Sequence, residues 1–168
     1  MSKLEWFGFI VFWFLIFKFL LYCFIFPFIR WLRSSGWKTD GGKAFAIITG
    51  GTDGIGLGYS EHLASIGYSL LIISRNPDKL EIVKNRLKEK IKNCPEIRTL
   101  PFDFSTPRIE DYDIVERTIS ELPGRVDVLV NNVGVSFKTG DYFSIISKVQ
   151  SKLLQDMISV NSVSVVMM

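Results

Sequence analysis

The sequence predicts an α/β protein, a doubly wound parallel sheet preceded by an N-terminal transmembrane helix. Three observations carry this reading. From Ala44 onward, strand-like apolar runs alternate with helix-like segments, the pattern of a parallel sheet with helices on both faces. The first run, Ala44–Thr49, breaks into a glycine-rich loop that opens a helix, and a second run, Ser69–Ile73, follows at βαβ distance. Trp6–Phe26 is 21 residues with one charge, Lys18, close to the roughly 20 apolar residues that cross a bilayer as a helix.

A chain of 168 residues has room for one domain plus an appendage. The boundaries read as a tail over 1–5, a membrane anchor over 6–26, a basic linker over 27–43 and a domain over 44–168. A cleaved signal peptide has a shorter apolar core, about 7–15 residues, and ends in small residues. Here the run ends Phe24-Ile25-Phe26-Pro27, which favours an uncleaved anchor in the lipid bilayer. Trp6 and Trp31 mark the two interfaces, and Pro27 is expected to end the helix. Lys18 either snorkels toward an interface or faces a partner helix, so a hairpin or a shallow insertion stays open. Arg30, Arg33, Lys38 and Lys43 follow the span, whereas Lys3 before it is partly offset by Glu5. Positive residues stay on the cytoplasmic side, which turns the domain toward the cytosol. Ser34-Ser35-Gly36 and Asp40-Gly41-Gly42 read as the linker.

In the domain, Ile55–Ile66 reads as the first helix, closed by Gly67. Asn76 caps the second, with Pro77 in its first turn and Leu80, Val83, Leu87 and Ile91 on one face. The third strand runs Ile97–Phe104 and reaches Asp103. Ile109–Leu122 is helical, with Ile114, Val115, Ile119 and Leu122 inward, until Pro123-Gly124 breaks it. Val126–Val130 is the fourth strand and leads into Asn131-Asn132-Val133-Gly134. Ser144–Val160 is the last helix, with Asn161 near its end. Val126–Val130 is left as an uncovered apolar edge, and Ser162–Met168 has no evident partner in the chain.

Composition narrows the function. The net charge of +3 is mild and no basic tract interleaves with aromatics, so nucleic acid is not a favoured partner. Cys23 and Cys94 lie in different settings and make neither a disulfide framework nor a metal site. His62 has no cysteine or second histidine nearby and reads as a surface or packing residue.

The glycine loop carries the chemistry. Thr49-Gly50 is followed after three residues by Gly54-Ile55-Gly56, which is neither the G-x-G-x-x-G spacing nor a Walker loop. A glycine turn between a core strand and a core helix is the ordinary reading; an anion cradle at a helix start is the functional one. Ligands in a doubly wound sheet sit at the carboxyl ends of the strands. Four landmarks fall there: the glycine loop, Arg75, Asp103 and Asn131–Gly134. Taken singly, they are a turn, a surface charge, a helix cap and turn formers. Arg75 distinguishes cofactors, because a 2′-phosphate needs a cation where NAD sites place a carboxylate, and guanidinium binds phosphate bidentately. NADP(H) is therefore expected over NAD.

TGGTDGIG at 49–56, ISR at 73–75, FDFS at 102–105 and NNVG at 131–134 together resemble the short-chain dehydrogenase/reductase family. The resemblance covers residues 44–168 and roughly the first half of that Rossmann-type fold. It implies a pyrophosphate held on Gly50, Thr52, Asp53, Gly54, Ile55 and Gly56, with Arg75 at the adenosine phosphate. Asp103 and Asn132 would contact the adenine and adenine-ribose sides, with Gly134 beside them. It implies that Asn161 matches the asparagine of a catalytic proton relay, a helix cap being the ordinary alternative. Val133, the TDGIG loop and the anchor are similar to the microsomal branch, the 17-beta-hydroxysteroid dehydrogenase and very-long-chain 3-oxoacyl-CoA reductase type. That implies an oxidoreductase of the endoplasmic reticulum membrane, acting in fatty acid elongation or steroid metabolism on a long-chain acyl-CoA or a steroid. The family serine and Tyr-x-x-x-Lys are not assignable, since none of the five tyrosines has lysine four residues on. The chain is therefore expected to represent the cofactor half of a longer reductase. A catalytically inactive nucleotide-binding module, or one that pairs as a homo- or hetero-dimer with a full-length relative, is the alternative.

Overall fold

The computed structural model describes residues 3–33, 43–92, 95–106, 108–137 and 151–168. The chain divides into two compact units, Met1–Lys38 and Thr39–Met168.

The first unit is helical. α1 spans Lys3–Leu20, a π-helical turn covers Leu21–Ile25, and α2 spans Phe26–Arg33. Trp6–Ile29 is long and apolar enough to cross a membrane, with 24 residues at mean hydropathy 2.5, none of that window buried. Pro27 does not end the helix, contrary to the sequence expectation. A proline lacks the N–H and crowds the carbonyl four residues back. The wider turn just ahead of it makes room, closed by Phe26 N–H donating to the Leu21 carbonyl. Trp6, Phe9 and Trp13 form a ladder of edge-on rings with centroids 6.3 and 6.1 Å apart. The Lys18 ammonium folds back over the Phe14 ring at 5.3 Å from its centroid, a cation–π contact that offsets part of its cost in an apolar setting.

The second unit is the expected doubly wound sheet. β1 (Ala44–Thr49), β2 (Ser69–Ser74), β3 (Ile97–Pro101) and β4 (Arg125–Val130) pair in parallel in the order β3-β2-β1-β4. Every residue of β1 and β2 is buried, as befits central strands covered on both faces. Alternation along β1 divides the core. Ala44, Ala46 and Ile48 face α3 (Gly54–Ser65) and α4 (Pro77–Lys90), meeting Leu63, Ala64, Leu80, Val83 and Leu87. Ile47 faces the opposite layer, with Leu71, Ile73, Phe102, Phe104, Tyr112, Val115 of α5 (Asp113–Ser120) and Val160. Each large aliphatic side chain so buried contributes about 1.5–3 kcal/mol.

Local signals set the element ends. Asp53 caps α3 and Asn76 caps α4, accepting from Lys79 N–H at 3.0 Å, with Pro77 in the first turn. Gly67 leaves α3 at φ 98°. Other ends differ from expectation. β3 stops at Pro101, so Asp103 lies past the strand, where its carboxylate accepts from Ser105 N–H at 3.0 Å and shapes a turn. Ile109–Tyr112 is a 3₁₀ turn rather than α-helix, and Ile114 points outward at 51% exposure. Asn93-Cys94, the linker over 34–42, Gly140 and the start of the last helix lie outside the described residues.

The C-terminal segment departs most. α6 (Ser151–Ile158) passes through a π turn, Ser159–Val163, into α7 (Ser164–Met167). Ser162–Met168 is therefore not partnerless: Ser164 is buried, and Met167 and Met168 pack on the second core layer. Among the described residues β4 is an edge strand, with Val126 40% and Leu129 42% exposed.

Candidate functional site

The strand order creates the site. The chain steps from β1 outward through β2 to β3, then returns to the far side of β1 as β4. The crossovers above β1 and β4 diverge there and open a crevice at the carboxyl edge. The glycine loop after β1 and Asn131–Gly134 after β4 both lie at this switch point.

Thr49 ties them together. Buried at the end of β1, its hydroxyl donates to the Val130 carbonyl at 3.3 Å. It accepts from the backbone N–H groups of Asn132 and Val133 at 3.0 and 3.1 Å. The Asn132 amide returns the contact, donating to the Thr49 and Gly50 carbonyls at 3.1 and 3.2 Å. Asn132 therefore holds the glycine turn from beneath. Thr49→Val keeps the shape and removes the hydroxyl, leaving the two part-buried N–H groups of Asn132 and Val133 unpaired. The expected loss is about 1–3 kcal/mol of stability, read as a lowered denaturation midpoint, with weaker nucleotide binding.

The turn depends on glycine. Gly50 and Gly54 have φ of 67° and 51°, where a side chain is strained. A Cβ on Gly54 would meet nothing within 4 Å, so the loop backbone is open on that side. Gly56 is crowded instead: a Cβ there would stand 2.4 Å from both the Gly50 carbonyl oxygen and Asn132 Nδ2. Ser60 fastens α3 to the loop by donating to the Gly51 and Gly56 carbonyls at 3.3 and 3.0 Å.

A cleft of about 500 Å³ opens above this turn. Thr52, Asp53, Arg75, Asp103 and Gly134, all expected from sequence, line it. Gly50, Ile55 and Gly56 belong to the turn and helix start at its side. The hydroxyls of Thr52 and Ser74 are 3.0 Å apart and join the loop to the end of β2. Arg75 is exposed and makes no ion pair among the described residues. Phe102 and Phe104 meet edge-on at 4.9 Å and supply an apolar wall, backed by Tyr112 at 5.0 Å from Phe102. Burial pushes the Tyr112 phenol above its ordinary value.

Asn161 is not at a helix end. It sits in the π turn, and its amide pairs with the Val135 backbone, accepting from the N–H and donating to the carbonyl, both at 2.9 Å. The side chain thus positions the segment after β4, while its neighbour Val160 lines the cleft. Sequence reasoning missed Thr49, Ser74, Lys79, Val135 and Val160. Thr49 alone carried a signal: a polar residue closing a buried strand must find partners.

Residues 44–168 match the family model described as short chain dehydrogenase. Very-long-chain 3-oxoacyl-CoA reductase of Mus musculus is 42% identical over 121 residues, which cover 72% of this chain and 36% of that protein. The Homo sapiens protein of the same name is 39% identical over the same shares. L-sorbose reductase from Gluconobacter frateurii, solved with NADPH and L-sorbose, superposes with TM-score 0.60 at 27% identity, covering 77% of this chain and 46% of that one. A metagenomic short-chain oxidoreductase solved with NADP gives TM-score 0.64 at 23% identity, covering 77% and 54%. The chain spans little more than a third of the length of the curated relatives it matches.

Proposed function

The chain belongs to the short-chain dehydrogenase family, and from that premise we propose that it is the NADP(H)-binding part of a membrane-anchored ketoreductase. The observation that supports this best is the juxtaposition at the switch point. An open glycine turn at a helix N-terminus faces a cleft whose neighbouring wall carries the exposed Arg75 guanidinium. The residues suit the nucleotide: Gly50–Gly56 offer backbone N–H groups to a diphosphate, and Arg75 offers a planar fork to a 2′-phosphate. Phe102 and Phe104 give an apolar flank beside Asp103 on the adenine side.

NADPH, when bound, supplies the hydride for carbonyl reduction. This chain's own residues bind and orient it, and Asn161 holds the segment at Val135. A general acid is worth about 10²–10⁴-fold in such a step, and no Tyr-x-x-x-Lys occurs in these 168 residues. By likeness to the mammalian reductases, the substrate class is a long-chain 3-oxoacyl-CoA, with keto-steroids next. The apolar helix over Trp6–Ile29 fits residence in the endoplasmic reticulum membrane with the domain in the cytosol.

A second reading is a nucleotide-binding module that pairs with a full-length relative. Calorimetric titration of the detergent-solubilised full chain decides the first point. A saturable NADPH heat and a much weaker NADH response are expected; failure of both nucleotides to bind ends the reading. NADPH oxidation with a long-chain 3-oxoacyl-CoA separates enzyme from inactive module. Retention in the membrane pellet after alkaline carbonate extraction checks the anchor.

A further inference from the structure

The capping residue of α3 sets a problem for a phosphate-binding cleft. One carboxylate oxygen of Asp53 accepts from Gly54 N–H at 2.8 Å, a task that an asparagine performs equally well. The whole negative charge is therefore not required for the cap. It also stands beside the cationic wall. The Thr52–Ser74 hydroxyl contact joins the residues just before Asp53 and Arg75, and both of those line the same cleft. A phosphate reaching for Arg75 meets a neighbouring carboxylate, and like charges so placed repel.

Lys79 supplies the missing charge. Its ammonium is 3.5 Å from Asp53 Oδ2 and it too lines the cleft. Its backbone N–H is held by Asn76 Oδ1 in the first turn of α4, so the base of the side chain is fixed. With side chains 56% and 83% exposed, the pair adds little to folding. At the cleft its effect is larger: Asp53, Arg75 and Lys79 together carry one net positive charge, and without Lys79 they carry none. Asp103 and Asp156 also line the cleft, but they come from the turn after β3 and from α6. The ion pair Lys79 makes among the described residues is with Asp53.

We propose that Lys79 is a second determinant of selectivity for a 2′-phosphorylated nucleotide, acting by neutralising Asp53 beside Arg75. This rests on the nucleotide reading above. A nucleotide with a bare 2′-hydroxyl brings no charge to that corner and is indifferent to the balance there.

The test is calorimetric titration of the detergent-solubilised full chain and its variants with NADPH and NADH, with circular dichroism as the folding check. Lys79→Ala is expected to lower the NADPH-over-NADH preference by about tenfold. Asp53→Asn keeps the cap and is expected to raise the preference. The double variant is expected to return to within about threefold of wild type, because the charge that needed neutralising is gone. A double variant as impaired as Lys79→Ala overturns neutralisation, since Lys79 would then act on the phosphate directly. Equal losses for both nucleotides, or an unchanged preference in Lys79→Ala, overturn the role of Lys79 while leaving the assignment of Arg75 intact. A wild-type chain that binds neither nucleotide, or both alike, overturns the underlying reading and this one with it.

Discussion

Arg75→Ala is expected to weaken NADPH binding by about a hundredfold and to leave NADH within about threefold, the loss that follows when a bidentate charge-assisted contact is removed. Arg75 is exposed at the end of β2 and makes no ion pair among the described residues. Its removal therefore uncovers no buried carboxylate, and the fold is spared. Two charge-assisted hydrogen bonds at about 1.5 kcal/mol each amount to roughly two decades in the dissociation constant. Arg75→Lys recovers only part of this, because an ammonium is a point charge without the planar fork. The readout is the ratio of the two dissociation constants. A fall shared by both nucleotides would mean that Arg75 shapes the cleft rather than recognising a phosphate.

Gly56→Ala should do the reverse, harming fold and binding together. The added carbon would stand 2.4 Å from the Gly50 carbonyl oxygen, a backbone atom that cannot rotate aside. The strain propagates into Asn132, whose amide lies at the same distance and already pairs with the Thr49 and Gly50 carbonyls. Overpacking of this kind costs about 1–3 kcal/mol or more, and the glycine turn must move to relieve it. Nucleotide affinity is expected to fall at least about tenfold in protein that still folds, with a lower thermal midpoint. Gly58, two residues along the same helix, is the control. A Cβ there meets nothing within 4 Å, so Gly58→Ala should stabilise by about 0.5–1 kcal/mol through helix propensity. Equal effects of the two substitutions would mean that crowding at Gly56 is not what fixes the turn.

The sheet was readable because its central strands are continuous apolar runs bounded by glycine and polar caps. Asp53, Asn76 and Pro77 announce their helix starts by residue type, and the structure uses them so. Pro27 misled because its ordinary effect was offset by a wider helical turn immediately before it. Such a turn depends on backbone registration that residue type does not encode. The end of β3 and the 3₁₀ turn after it fall within the usual scatter of element ends, where propensities are weakest. The C-terminal segment misled for a different reason: its apolar residues find their partners in the second core layer, on elements far away along the chain.

Residue order alone determined the layering, the position of the glycine loop at a helix start and the cation that follows β2, because periodicity, capping and turn chemistry act within a few residues. Only the tertiary structure decided which groups face the ligand and which are spent holding the backbone. Thr49 meets Asn132 across 83 residues, and Asn161 meets Val135 across 26. Asp53 finds Lys79 only once β1 and β2 lie side by side. Hydrogen bonds and charge pairs depend on distance in space, and strand order fixes that distance after the local signals have done their part.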